Sequence, residues 1–258
     1  MDEPLPLLIS IPHGGRDVPE YMRDRVALTE ADILADGDAF TREIYDFTGR
    51  VHTVVKADVA RAIVDLNRGA DQLPPDYPDG VVKSVTCYNK TVYKEGRFPD
   101  QNLIDRLIRD YYQPYHSNIR RALQDGGIAI AFDCHSMASQ GPPAALDCGK
   151  RRPTVNIGNV AGKSCPTDYA TKLAACFREV LQLQDKDVTL NKPFSGGFIT
   201  RNYATRETPW LQIEISRDLY LAPPWFDPTT LTISQHRLSE LNAMLWQTIR
   251  NFWQSIAA

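Results

Sequence analysis

Only five cysteines occur in the 258 residues, an odd number, and no two form a CxxC pair. Cys87, Cys134, Cys148, Cys165 and Cys176 therefore fit neither a disulfide framework nor a structural zinc ribbon. No apolar stretch approaches the roughly 20 residues needed to span a bilayer. The N-terminus, MDEPLPLLISIPHGG, lacks a basic segment followed by a long apolar core. Neither a membrane span nor a signal peptide is expected, and a reducing, cytoplasmic setting is. Charge of one sign is also scarce: the net charge is -3, so nothing in the balance points to a nucleic-acid partner. The one short basic cluster, Lys150-Arg151-Arg152, reads as a solvated loop. Missing as well are an internal repeat, a low-complexity linker and a shift of composition between halves. With 43% hydrophobic and 24% charged residues, the expectation is a globular chain forming a single domain over residues 1–258.

What is present alternates between strand and helix patterns. Leu5 to Ile11 is a short apolar run that ends in the glycine turn Pro12-His13-Gly14-Gly15. Thr29 to Phe47 carries helical spacing, with a capping box at Thr29 and Asp32 and a possible break at Gly37. Val51 to Lys56 and Ala60 to Leu66 read as strands. Residues 69–96 are rich in Pro, Asp, Tyr and Lys, an irregular excursion long enough to suggest an active-site lid. Asp100 to Leu123 is amphipathic, with Pro114 as a kink point and Gly126-Gly127 as its end. Ile128 to Phe132, Val155 to Ile157 and Trp210 to Ile215 follow as strands. Thr167 to Leu183 and Thr230 to the C-terminus follow as helices. The pattern predicts an α/β fold of three layers, a mostly parallel mixed sheet with helices on both faces.

Ligands of open α/β sheets bind beyond the carboxyl ends of the strands. Four polar groups lie at such ends: Pro12 to Gly15, Asp65 to Arg68, Asp133 to Ser136, and Glu214. Two histidines and a carboxylate are a frequent catalytic zinc set. His13 and His135 are the natural pair, each following an apolar run and preceding small residues. Spacing does not choose the third ligand among Asp36, Asp38, Asp65, Asp133 and Glu214. His52 and His236 read as structural; His116 fits a substrate or supporting contact and a helix-surface position equally well. A serine mechanism is disfavoured, since GxSxG is absent and Ser136 directly adjoins His135.

The motifs PHGG with Pro19 following, DGDAFTREIYDF, RAIVDLNR, FDCHS, FSGGFITRNY and LQIEIS, in this order, resemble the N-formylglutamate amidohydrolase family. The resemblance runs from about Leu7 to the terminal helix. It implies a zinc hydrolase with a phosphorylase/hydrolase-like fold related to zinc carboxypeptidases. It assigns His13, Asp38 and His135 to one zinc ion or another divalent metal, with Asp36 as rival to Asp38. Glu214 resembles a carboxypeptidase-type general base, which could instead pair with Arg217. Asn67 and Arg68 resemble an Asn-Arg pair that grips a substrate carboxylate, and Arg61 and Arg201 are further anion-binding candidates that could equally pair with internal aspartates. Asp65 and Asp133 are expected to orient neighbouring groups. One departure is Ala39-Phe40-Thr41 after the two aspartates, where family members more often carry aromatic and histidine residues. The expected reaction is hydrolysis of an N-acyl amino acid amide, N-formyl-L-glutamate above others. The alternatives are a zinc deacylase or carboxypeptidase-like enzyme acting on another anionic amide, and a metal- or ligand-binding protein without catalysis. The partner expected is a small anionic substrate, and the oligomeric state is left open.

Overall fold

The computed structural model describes residues 3–257. The apolar runs become strands β1 (Leu5–Ile11), β2 (Val51–Lys56), β3 (Ile130–Met137), β4 (Val155–Gly158) and β6 (Trp210–Ser216), as expected, and β5 (Val188–Leu190) is a further short strand that the sequence did not mark. They form one sheet in the order β2-β1-β3-β6-β4-β5. Every neighbouring pair is parallel except β6 with β4, so the sheet is mixed and mostly parallel. A separate antiparallel pair, β7 (Phe226–Asp227) and β8 (Thr232–Ile233), lies beyond it.

Helices cover both faces, as the side-chain alternation of the strands requires. Leu7, Ile9 and Ile11, Ile130, Phe132 and Cys134, and Leu211, Ile213 and Ile215 all enter one core. That core also holds Leu173 and Phe177 of α6 (Thr167–Leu181) and Leu241, Leu245 and Phe252 of α9 (Gln235–Ala257). Leu8, Ala131 and Trp210 enter the other core, with Ile104 and Leu107 of α4 (Gln101–Leu107) and Tyr115 and Ile119 of α5 (Gln113–Asp125). Among the described residues, no helix is long and apolar enough to cross a membrane.

The remaining helices are short: α1 (Glu20–Arg23), α2 (Glu30–Asp36), α3 (Thr41–Ile44), α7 (Phe198–Tyr203) and α8 (Asp218–Leu221). The capping box forms as read: Thr29 accepts from Asp32 N, and Asp32 accepts from Thr29 N. Residues 101–125 run as one helix through a π turn, Ile108–Tyr112, which accommodates Pro114 and its missing N–H.

Ala60 to Leu66 is not a strand. The Ala60 carbonyl accepts from both Ile63 N and Val64 N, which closes a tight turn, and Asp65 N pairs with Val81 O. β2 already holds the sheet edge. The apolar side chains of the turn are buried instead against Val81, Val82 and Val92 of the 69–96 excursion. The final helix begins at Gln235 rather than Thr230, because Thr232–Ile233 pairs in the small β ribbon.

Candidate functional site

The face of the sheet that carries Leu8, Ala131 and Trp210 turns polar toward the ends of the parallel strands. By alternation, Ser10, Asp133 and His135, and Gln212 and Glu214 follow on that face. Register places Ser10 beside Asp133, Asp133 beside Gln212, His135 beside Glu214, and Glu214 beside Asn156. Asp133, His135 and Glu214 thus lie within β3 and β6 rather than after them. All five polar residues are buried.

His13 arrives from the end of β1. The chain then turns at Gly15, where a Cβ would stand 2.4 Å from the Asp58 carbonyl, so only glycine fits. Asp38 arrives after α2, where Gly37 leaves the helix in an extended conformation and Asp38 N donates to His13 O at 2.9 Å. His13, Asp38 and His135 come together, with one potential ligand atom from each within 4.8 Å of the others. Asp38 Oδ2 faces both imidazoles, 2.9 Å from His135 Nδ1 and 3.5 Å from His13 Nδ1.

The far nitrogens are held by other carboxylates: His13 Nε2 by Asp65 at 2.7 Å and His135 Nε2 by Asp133 at 3.1 Å. Such partners fix the ring orientation and tautomer of a metal-binding histidine. Asp36, two residues away at the last position of α2, faces elsewhere: it accepts from Cys87 N at 2.8 Å and lies 3.5 Å from Lys83 Nζ. Lys83, which no sequence motif marks, is fully buried and also reaches Asp79 and Asp65.

Burial alone would raise the pKa of Asp38, but hydrogen bonds from His13 and His135 outweigh it and hold the carboxyl well below its usual range. Burial likewise opposes charge on His135, yet Asp133 and Asp38 carry its pKa well above that of a free imidazole. Glu214 forms no ion pair among the described residues. Burial pushes its pKa up to about 7; the charge of His135 opposes this, while Asp38 and Asp133 reinforce it. Its hydrogen bond comes from Gln212 Nε2 at 2.8 Å. Arg217 pairs instead with Asp38, at 3.2 Å.

These groups open into a cavity of about 450 Å³ lined by His13, Asp38, His135 and Glu214. Arg61, Asn67 and Arg68 line it too; Arg201 does not. Arg61 donates to Asp65 and to the Asp36 carbonyl. Asn67 is engaged at both ends of its amide, donating to Asp133 at 3.0 Å and accepting from Ile199 N at 2.7 Å. Arg68 is held by Asp79. Arg201 clasps Gly196 O and Ser195 Oγ from the outer side of the loop. From the excursion, Asp79, Cys87 and Tyr88 reach the cavity wall. Arg152, read from sequence as part of a solvated cluster, is also on that wall and is buried. A basic triplet carries no mark of which member turns inward.

His116 is neither on the surface nor on the cavity wall. Its Nε2–H donates to Leu66 O at 3.0 Å and its Nδ1 accepts from Tyr203 at 2.9 Å, which secures the backbone leading into Asn67. Burial pushes its pKa down to about 4. A lowered folded-state pKa lets the unfolded chain take the proton first. The stability contribution is therefore whole above about pH 6.5 and lost as pH falls toward about 4, by up to about 3 kcal/mol. Over that interval the Tm of the wild type is expected to fall more steeply than that of His116→Gln. Parallel curves in scanning calorimetry would refute this role.

Fold and site together define a mixed α/β-sheet protein with a buried His-Asp-His cluster of metal-binding composition at the ends of parallel strands. The chain belongs to the N-formylglutamate amidohydrolase family, whose model matches residues 5–221. It is 32% identical over 226 residues to an N-formylglutamate deformylase of Pseudomonas putida, covering 84% of this chain and 82% of that protein. Two solved structures share the fold. N-formylglutamate amidohydrolase from Ralstonia eutropha JMP134 matches with a TM-score of 0.80 at 21% identity, over 98% of this chain and 94% of that one. A gene product of Agrobacterium tumefaciens matches with a TM-score of 0.69 at 15% identity, over 97% and 90%.

Proposed function

We propose that this protein is a zinc-dependent amidohydrolase that cleaves N-formyl-L-glutamate to formate and L-glutamate. Family membership and the name of the Pseudomonas putida relative support the reaction. The observation that carries the metal is the donor set: Nδ1 of His13, Nδ1 of His135 and Asp38 Oδ2 gathered on one another, with both Nε2 atoms already held by carboxylates. Two imidazoles and a carboxylate suit zinc and leave a coordination position for water. Zinc bound there supplies Lewis acidity, polarising an amide carbonyl and making a nearby water more acidic.

The chain's own groups do the rest. Glu214 takes a proton from the attacking water as the oxygen adds to the formyl carbon. It returns that proton to the amine nitrogen as the C–N bond breaks. Burial raises its pKa to about 7 with no metal beside it, and a bound cation lowers it from there, which leaves the group ionised and able to accept a proton near neutrality. Asp65 and Asp133 hold the two imidazoles, and Asn67 holds Asp133. Arg61, which donates to Asp65 and lines the cavity, takes a substrate carboxylate in this reading, while Arg68, engaged with Asp79, stiffens the wall beside it. The 69–96 excursion closes one side of the cavity as a lid within a single amidohydrolase domain. The setting is cytoplasmic, with a small anionic substrate and no nucleic acid or membrane as partner.

Chelator-treated protein is expected to release no formate from N-formyl-L-glutamate and to regain turnover with one equivalent of zinc. Turnover that ignores the chelator would end the metal reading. A stronger preference for another N-acyl amino acid in the same panel would end the substrate reading.

A further inference from the structure

A dicarboxylate substrate needs two anion sites, and the cavity has four arginines on its wall: Arg61, Arg68, Arg152 and Arg217. Two of them have every guanidinium nitrogen engaged. Arg217 donates to Ser136, to the carbonyls of Ala35 and Gly37, and to Asp38. Arg68 donates to Asp79 and to the Asn67 carbonyl. The other two each keep one nitrogen with no protein acceptor among the described residues: Nη2 of Arg61 and Nη1 of Arg152. The sealed side-chain atoms without partners are Tyr21 Oη, Asp36 Oδ2, Tyr93 Oη and Trp210 Nε1. Neither guanidinium nitrogen is among them, so solvent reaches both, in side chains that line the cavity.

The Arg152 group is fixed on one edge and one face. Asp147 accepts from Nε and Nη2, each at 2.7 Å, and takes one edge of the guanidinium. The Phe194 ring lies under its face, 4.9 Å from the guanidinium carbon to the ring centroid. Only 5% of the Arg152 side chain is exposed. The platform is itself held: Phe194 O accepts from Asn156, Ser195 O from Val160 N, and Arg201 ties Gly196 O and Ser195 Oγ. What remains is the end-on edge, with one N–H from each η nitrogen, a geometry that matches the two oxygens of a carboxylate. Holding an arginine this way removes the entropy cost of ordering it when a ligand arrives.

Position decides which carboxylate it takes. Arg61 bonds to Asp65, whose other oxygen holds His13, so Arg61 stands beside the proposed metal ligands. The α-carboxylate, separated from the scissile nitrogen by Cα alone, belongs there. Arg152 bonds to none of His13, Asp38, His135 or Glu214. It leaves β3 on a different segment, with its backbone N on Ser139 O. We propose that Arg152, held by Asp147 and seated on Phe194, binds the side-chain carboxylate of the substrate and sets the preference for an acidic amino acid. The proposal rests on the deformylase reading above.

The test compares N-formyl-L-glutamate with N-formyl-L-glutamine, which lacks only that second charge. Arg152→Gln in the zinc-loaded protein is expected to lower kcat/KM for the first by roughly 10- to 100-fold, the loss of a charge-assisted pair. The loss falls mainly in KM, and turnover of the second is essentially unchanged, which also shows that the variant folds. Arg152→Lys keeps a charge for Asp147 but not the planar edge, and is expected to lie between. Equal losses on both substrates, or none on either, would overturn the proposal. Calorimetric binding of glutarate and of glutaramate supplies an arm without turnover: the wild type favours glutarate, and Arg152→Lys narrows the difference. A protein that releases no formate but shows that difference keeps the subsite and loses the deformylase reading. A deformylase without it loses the subsite alone.

Discussion

Glutamine in place of Glu214 is expected to lower kcat by roughly two to four orders of magnitude, with folding and zinc content unchanged. The substitution is nearly isosteric, and its one hydrogen bond survives. Gln212 Oε1 accepts from Gly197 N at 2.5 Å, which fixes the orientation of the Gln212 amide. Its Nε2–H therefore stays directed at residue 214, and the new side chain's carbonyl can accept as Glu214 Oε1 does at 2.8 Å. Only the capacity to hold a proton is removed. Single-turnover formate release, measured beside metal content and Tm, separates this from damage to the site. Near-normal turnover would remove Glu214 as the base.

The pH profile adds a second reading of the same group. A base works when ionised, so kcat/KM falls on the acid side as Glu214 takes up a proton. Burial sets that limb near about 7 without a cation, and a divalent cation beside Asp38 and His135 lowers it. The wild type should lose activity at or below about pH 7, and the residual activity of Glu214→Gln should lack that limb.

Strands β1, β2, β3, β4 and β6 were legible because each holds a short apolar run bounded by turn residues, and β1 and β2 carry the bounds read from sequence; β5, β7 and β8, of two or three residues, are too short to leave such a pattern. Helix α2 was legible at its start through Thr29 and Asp32, which act locally. Ala60 to Leu66 misled because a short apolar run says that side chains are buried, not what buries them. Here the partner is an excursion some 20 residues on, through Val81 and Val82, and not a neighbouring strand. The site histidines were legible because they follow apolar runs at two strand ends, and burial brings both to one rim. The arginines were not. Whether a guanidinium faces a substrate or a neighbouring carboxylate depends on partners distant in sequence, as with Arg217 on Asp38, or on loop geometry, as with Arg152 on Asp147. Arg61, Arg152 and Arg201 look alike in sequence and occupy three different environments.

The choice between the two aspartates of DGD was open in sequence, and the fold separates them through Gly37. This gives a paired prediction. Asp38→Asn is expected to abolish the rise in Tm that zinc gives the wild type, a stabilisation of about 2.7 kcal/mol when free zinc is 100 times Kd. It should also weaken the metal-free protein. Asp38 Oδ1 accepts from Arg217 at 3.2 Å and Oδ2 faces His135 and His13. A neutral amide there leaves a buried guanidinium short of its counter-charge, at a cost of up to about 3–5 kcal/mol. Asp36→Asn takes one of three carboxylates from a different cation, the fully buried Lys83, which keeps Asp79 and Asp65, and should lower stability more modestly without touching the zinc response. Loss of stability thus accompanies both substitutions, and only the zinc-dependent shift tells them apart. A retained shift in Asp38→Asn, or a lost one in Asp36→Asn, would reverse the ligand assignment.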